Sequence, residues 1–209
     1  MPLGNGGFNI EQAILHLKGS DPVLSELIER VGEYRIAFRE PDFATLVRSI
    51  TGQQLSGRVA AVIFARLAEA TAGKITPASV LKLRPSRMRS LGYSGQKIAY
   101  IRDLARLARD GVVVFEELPS LSDQEVIERL TQVKGIGVWT VHMFLIFALR
   151  RPDVLPTGDL GIRAAIRKAY GLDELPKPSE IESMAERWKP YCTVASWYLW
   201  RSLEPDANL

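Results

Sequence analysis

Residues 132–144 read QVKGIGVWTVHMF, with two glycines flanking Ile136 and an apolar, helix-like run behind them. Gly135 and Gly137 permit positive φ and close approach by another backbone. They also leave backbone N–H groups open at the start of the following helix, where the helix dipole favours an anion. A phosphate of DNA meets that demand without side-chain chemistry, and Ile136 then plugs back into the core. A plain tight turn between two helices is the alternative reading, although one glycine suffices for that. Downstream of Trp139, Asp159 closes LPTGD and precedes LGIRAAIRKAYG. By residue type alone it is the N-cap of the helix it introduces.

The elements that must position these residues are helical almost throughout. Residues 55–72 carry Val59, Val62, Ile63, Leu67 and Ala70 at three- and four-residue spacing, and Gly73 is a stop. Residues 96–110 repeat the scheme with Ile98, Ile101, Leu104, Leu107 and Ala108 before Gly111. Pro77 suits the first position of a short helix to Leu83. Ser122 with Glu125, and Ser179 with Glu182, each form a capping-box pattern. A helix over 123–131 leads into the glycine turn, a second runs over 138–149, and residues 191–203 make an aromatic-rich final helix. The one strand candidate is VVVF, residues 112–115. The pattern predicts an all-α protein of about ten helices.

Composition narrows the function classes. Hydrophobic residues make up 46% of the 209, enough for a sizeable core. No apolar run approaches the roughly 20 residues that span a bilayer. The N-terminal MPLGNGGFNIEQ has neither the basic region nor the apolar stretch of a signal peptide. One cysteine, Cys192, excludes an internal disulfide and any cluster or zinc site built from several thiolates, and His16 and His142 alone make a histidine-rich metal site a poor fit. The expectation is a metal-free, cytosolic protein. Net charge is +3 and the isoelectric point is near 9.1. Arg84, Arg87 and Arg89, then Arg102, Arg106 and Arg109, are placed to line phosphates or, as the plainer reading, to solvate a helix face.

VKGIGVWTVHMF followed by LPTGDLGIR, together with SITGQQLSGRVAA and AERWKPYCTVASWYLW, resembles the helix-hairpin-helix DNA glycosylases. The likeness is to their alkylation-repair branch (3-methyladenine DNA glycosylase II, AlkA-type), and it extends from about residue 43 to residue 200. It implies an all-α fold of two helical subdomains flanking a DNA-binding cleft, one spanning 36–119 and the other, hairpin-bearing, formed by 1–35 with 120–209. With about forty residues ahead of Phe43, the N-terminal β domain of some relatives is not expected.

The resemblance implies a role for each motif. Asp159 takes the place of the catalytic carboxylate, which stabilises the oxocarbenium-like sugar formed when an N-glycosidic bond breaks. Asp173, Glu174 and Asp153 are weaker rivals. Trp139 stands where bifunctional relatives carry a lysine nucleophile, so the implied enzyme is monofunctional. Trp139 and Trp200 match aromatic walls of the base pocket, suited to an alkylated, cationic purine. Gln54 matches the wedge that fills the duplex after base flipping, with Gln53 and Ser56 beside it; Gln53 and Gln54 are equally readable as a helix cap pair. Lys134, Gly135, Ile136, Gly137 and Thr140 complete the DNA contacts. Arg163 either holds the carboxylate or a phosphate, or lies exposed on its helix.

The implied partner is double-stranded, damaged DNA, engaged by a monomer with no membrane. The compartment is cytoplasmic, or nuclear in a eukaryote. No cofactor is implied, and a monovalent cation between hairpin and phosphate is left open. Two other classes stand beside this reading. A non-catalytic helix-hairpin-helix DNA-binding module explains the hairpin alone. A glycosylase/AP lyase needs a lysine at position 139 and commonly a four-cysteine cluster, and both are missing.

Overall fold

The computed structural model describes residues 8–204. Among them are twelve α-helices, two short 3-10 turns and no strand. In chain order these are α1 (Ile10–Ser20), α2 (Pro22–Val31), α3 (Phe43–Gly52), α4 (Gly57–Ala70), α5 (Pro77–Lys82), α6 (Pro85–Ser90), α7 (Gly95–Arg109), α8 (Asp123–Leu130), α9 (Val138–Phe147), α10 (Leu160–Tyr170), α11 (Pro178–Ala185) and α12 (Cys192–Arg201). Side-chain caps start many of them. Asn9, Asp42, Ser94 and Asp159 each accept the backbone N–H three residues on, satisfying a donor that the helix itself cannot. Ser122 and Glu125 form the reciprocal box expected of them.

The contacts divide the chain into two compact units. One combines the residues up to Phe38 with those from Leu145 onward; the other is Arg39–Phe144. The first packs Leu17 of α1 and Leu24, Leu27 and Ile28 of α2 against Ile162 and Ile166 of α10, Trp188, and Val194 and Tyr198 of α12. Asp21, 1% exposed, fastens this core. Its Oδ1 caps α2, while Oδ2 accepts the Tyr170 hydroxyl at 2.6 Å and the Trp188 indole N–H at 2.8 Å. A buried carboxylate is tolerable because these donors replace its lost water.

The second unit buries Phe43, Leu46, Val47 and Ile50 of α3, Ile98, Ile101 and Leu104 of α7, and Val126 and Leu130 of α8. It also holds the glycine hairpin and the rest of 120–144, which the resemblance groups with 1–35 in a subdomain of 1–35 and 120–209. The reason for the difference is local. Asp103 and Tyr100 of α7 and Gln53 at the end of α3 all fasten onto residues 134 and 135.

Three sequence expectations differ from the fold. VVVF is not a strand. The N–H groups of Val112 and Val113 both donate to the Leu107 carbonyl, ending α7, and turn bonds to Val114 and Phe115 follow. Helix α11 starts at Pro178 rather than behind Ser179, because proline's fixed φ suits the first helical position, and Glu180 accepts the Lys177 N–H at 2.6 Å. In α4 only Ile63 and Leu67 are buried, whereas Val59 and Val62 are 45% and 47% exposed.

Candidate active site

In the unit that includes residues 145–204, Asp159 sits at the N-cap of α10 and is partly buried. Its Oδ1 accepts the Ile162 N–H at 2.8 Å and the Trp200 indole N–H at 2.9 Å. The N-cap reading of this aspartate is therefore right, and capping does not exclude the catalytic one. Two donors on one oxygen, the backbone N–H of Ile162 and the indole of Trp200, fix the plane of the carboxylate. Trp200 is placed in turn by a stacked contact with Phe147, centroids 6.0 Å apart and rings 23° from parallel. Both line a cavity of about 860 Å³ with Val31, Trp197, Arg30 and Arg201. Trp200 thus lines a cavity and also contacts Asp159, a contact that its place in the sequence did not suggest.

Gly161 makes that contact possible. A Cβ there would lie 3.0 Å from Asp159 Oδ1 and 3.2 Å from Trp200 Cδ1. The sequence signal was a glycine in the first turn of a helix, where alanine is the better helix former. Arg163 Nε donates to the Pro176 carbonyl at 3.0 Å, tying α10 to the loop ahead of α11. Of the rival acids, Asp153 accepts the Cys192 N–H at 3.2 Å, and Asp173 and Glu174 lie exposed.

In the unit Arg39–Phe144 the hairpin has unequal glycines. Gly135 has φ +80°, and a Cβ there would lie 2.1 Å from the Tyr100 ring. The close approach at this glycine is made by an aromatic side chain and not by the backbone that the sequence suggests. Gly137 shows neither positive φ nor a neighbour within 4 Å of a Cβ, so steric need does not explain it. Ile136 is buried at 4% exposure and plugs the core. The Lys134 N–H donates to Asp103 Oδ2 at 3.0 Å, while Arg106 holds the other oxygen of that carboxylate at 2.8 Å. Tyr100 and Asp103, both missed in the sequence, are the supports of the hairpin.

The turn between α3 and α4 carries the other expected DNA contacts. Gln53 is the C-cap of α3, and its Nε2 donates to the Gly135 carbonyl at 2.8 Å, so this turn and the hairpin are joined. Ser56, not the glutamine pair, caps α4. Gln54 is exposed and has φ +57°, a left-handed conformation that non-glycine residues adopt at a cost of about 1 kcal/mol or more. Such strain is held where the surrounding structure imposes it. Trp139, 49% exposed, lines a cavity of about 690 Å³. Thr140 lines the same cavity but is 5% exposed, which leaves its side chain little reach toward DNA. Of the arginine rows, Arg102 donates to the Leu83 carbonyl, and Arg106 and Arg109 pair with Asp103 and Asp110. These three brace their own surroundings.

Comparison with known proteins agrees with this architecture. Residues 47–190 match the HhH-GPD superfamily base excision DNA repair protein family. DNA-3-methyladenine glycosylase 1 of Schizosaccharomyces pombe is 37% identical over 201 residues, covering 93% of this chain and 88% of its own. The structure of the 3-methyladenine DNA glycosylase from that yeast, solved with abasic DNA, superposes with a TM-score of 0.82 over 93% of this chain and 98% of the other, at 37% identity. DNA-3-methyladenine glycosidase from Bacillus halodurans gives a TM-score of 0.85 at 34% identity, over 93% of this chain and 90% of that one. The hairpin, the capped aspartate and these similarities together place the chain in the HhH-GPD superfamily of base excision DNA repair proteins.

Proposed function

We propose that this protein is a monofunctional DNA N-glycosylase that removes alkylated purines of the 3-methyladenine type from duplex DNA, the first step of base excision repair. The observation that carries the reading is Asp159, a carboxylate fixed by the N-terminus of α10 and by the Trp200 indole. The relatives named as 3-methyladenine glycosylases support the substrate class.

In this reading the hairpin residues 134–137 bind backbone phosphate, with or without a bridging monovalent cation, and the target nucleotide turns out of the stack. Flipping costs a few kcal/mol, least for a damaged base. Gln54, presented by its strained backbone, fills the gap. An alkylated purine carries positive charge, so an indole face of Trp139 or Trp200 binds it by stacking and cation–π attraction. The same charge makes it a good leaving group. The electron pair of the C–N bond departs with the base, positive charge develops on the deoxyribose, and the Asp159 carboxylate stabilises it. Water, oriented by the same carboxylate, then adds to the sugar carbon and gives up one proton to the solvent, and the base, neutralised by the electron pair it took, leaves.

Trp139 cannot form an imine with the sugar, so the product is an intact abasic strand. The test is base release from duplexes containing 3-methyladenine, 7-methylguanine or ethenoadenine, with strand cleavage and borohydride trapping followed in parallel. Base release without matching cleavage or adduct is expected. Cleavage that keeps pace with release, with a trapped adduct, overturns the monofunctional assignment; no release of any alkylated base overturns the glycosylase reading.

A further inference from the structure

Trp139 shares its cavity with three cationic side chains, Arg39, Arg48 and Lys97, and no Asp or Glu lines it. Among the described residues no ion pair joins any of the three to a carboxylate. Lys97 donates to the Thr51 carbonyl at 2.7 Å, near the end of α3. The Arg48 guanidinium lies 4.0 Å from the centroid of the Phe64 ring, which fixes its position. Burial, and then the charge of Arg48, lower the pKa of Arg39, so the two guanidinium groups repel one another. Arg39 and Arg48 are exposed on the cavity wall and Lys97 is half-buried, so an anion bound between them would offset the repulsion of like charges.

The cavity, about 690 Å³, has the size of a small-molecule site, and Tyr100 and Trp139 give it aromatic surface. We propose that this cavity is a nucleotide-phosphate site, in which Arg39 and Arg48 grip the phosphate and Lys97 adds a third positive charge. Arginine suits the task because its planar fork matches phosphate oxygens. A cationic purine is repelled by the same three charges, which assigns the cavity to the phosphate and leaves the exposed part of Trp139 to the base. The inference rests on the DNA reading above. The phosphate has two sources, the backbone of a bound duplex or a free nucleotide.

Arg39→Gln is the decisive variant, with Arg39→Lys as a charge-preserving control and thermal unfolding to verify that both are folded. Two quantities are measured: the dependence of undamaged-duplex affinity on salt, and the affinities for 2′-deoxyadenosine 5′-monophosphate and for deoxyadenosine. Arg39→Gln is expected to lower the slope of log K against log salt by about one, or to weaken mononucleotide binding about tenfold without changing nucleoside binding. A lower slope identifies backbone phosphate, and a selective mononucleotide loss identifies a free nucleotide; either supports the site, and Arg39→Lys retains the signal. If Arg39→Gln alters neither, the cavity is not a phosphate site. Neither measurement reads excision, so failure here leaves the glycosylase reading standing, and an inert Asp159 leaves this one standing.

Discussion

The Trp200 indole donates its N–H to Oδ1 of Asp159 at 2.9 Å, from a helix 41 residues further along the chain. The pairing exists because Gly161, between them, has no side chain. A tryptophan in that place is usually read as a stacking surface. Here its edge controls the orientation of the carboxylate while its face is stacked on Phe147.

Trp200→Phe keeps the ring stack and removes the N–H. Losing a hydrogen bond to a charged acceptor costs about 1.5 kcal/mol or more, so kcat for base release is expected to fall about tenfold. KM and binding of an uncleaved lesion duplex should hold, because the effect is on alignment. Gly161→Ala is expected to act in the same direction by crowding both groups. Single-turnover kinetics beside equilibrium binding separates the cases: weaker lesion binding with unchanged kcat makes Trp200 a base wall only.

Asp159→Asn and Asp159→Ala separate capping from chemistry. Asparagine presents a carbonyl oxygen to the Ile162 and Trp200 donors and is as good an N-cap, so its stability should stay within about 0.5 kcal/mol of wild type while excision is lost. Alanine loses the cap as well and should cost about 1–2 kcal/mol. Denaturant unfolding and base-release assays on both variants decide it. Near-normal excision by a folded Asn variant would end the catalytic assignment.

The hairpin glycines are predicted to behave differently. Gly135→Ala meets both a positive φ and the Tyr100 ring, and a loss of about 2–4 kcal/mol is expected. Gly137→Ala meets open space and should unfold within a few degrees of wild type. It is therefore the clean probe of phosphate contact, expected to weaken damaged and undamaged duplex alike. Wild-type affinity for both, measured at physiological salt, removes the hairpin as the DNA anchor.

Gln54→Gly relieves a left-handed glutamine. Stability is expected to rise by about 0.5–1 kcal/mol, the strain released less the added chain entropy of glycine, while excision from duplex falls for want of a wedge. Excision from a single strand, where nothing needs filling, should change less. Equal losses on both substrates, or a loss of stability, would count against this account of the turn.

Much of the architecture was legible because it is periodic: α7, α8, α10 and α12 appear where spacing and caps put them. What the sequence could not give was the pairing of elements. Val59 and Val62 obey the helical period but face solvent, since periodicity shows that a helix has an apolar face and not what covers it. Asp103 and Tyr100 look like ordinary residues of α7, and only the folded chain brings them to the hairpin. Arg163 follows Asp159 by one helical turn, yet the Pro176 carbonyl holds it. Asp159 itself was readable from its motif, but its bond to Trp200 required the packing of α12 beside α10.

Asp21 has a consequence for the order of assembly. Its partners Tyr170 and Trp188 follow it by 149 and 167 residues. During synthesis α1 and α2 emerge early, with an acidic group and an apolar face whose counterparts do not yet exist. The continuous stretch Arg39–Phe144 has its own core and can close first, because nearby contacts form faster than distant ones. The opening helices therefore wait, exposed, until Tyr170 and Trp188 have been made. That interval, rather than the finished fold, is where a chaperone or a protease finds this protein most accessible.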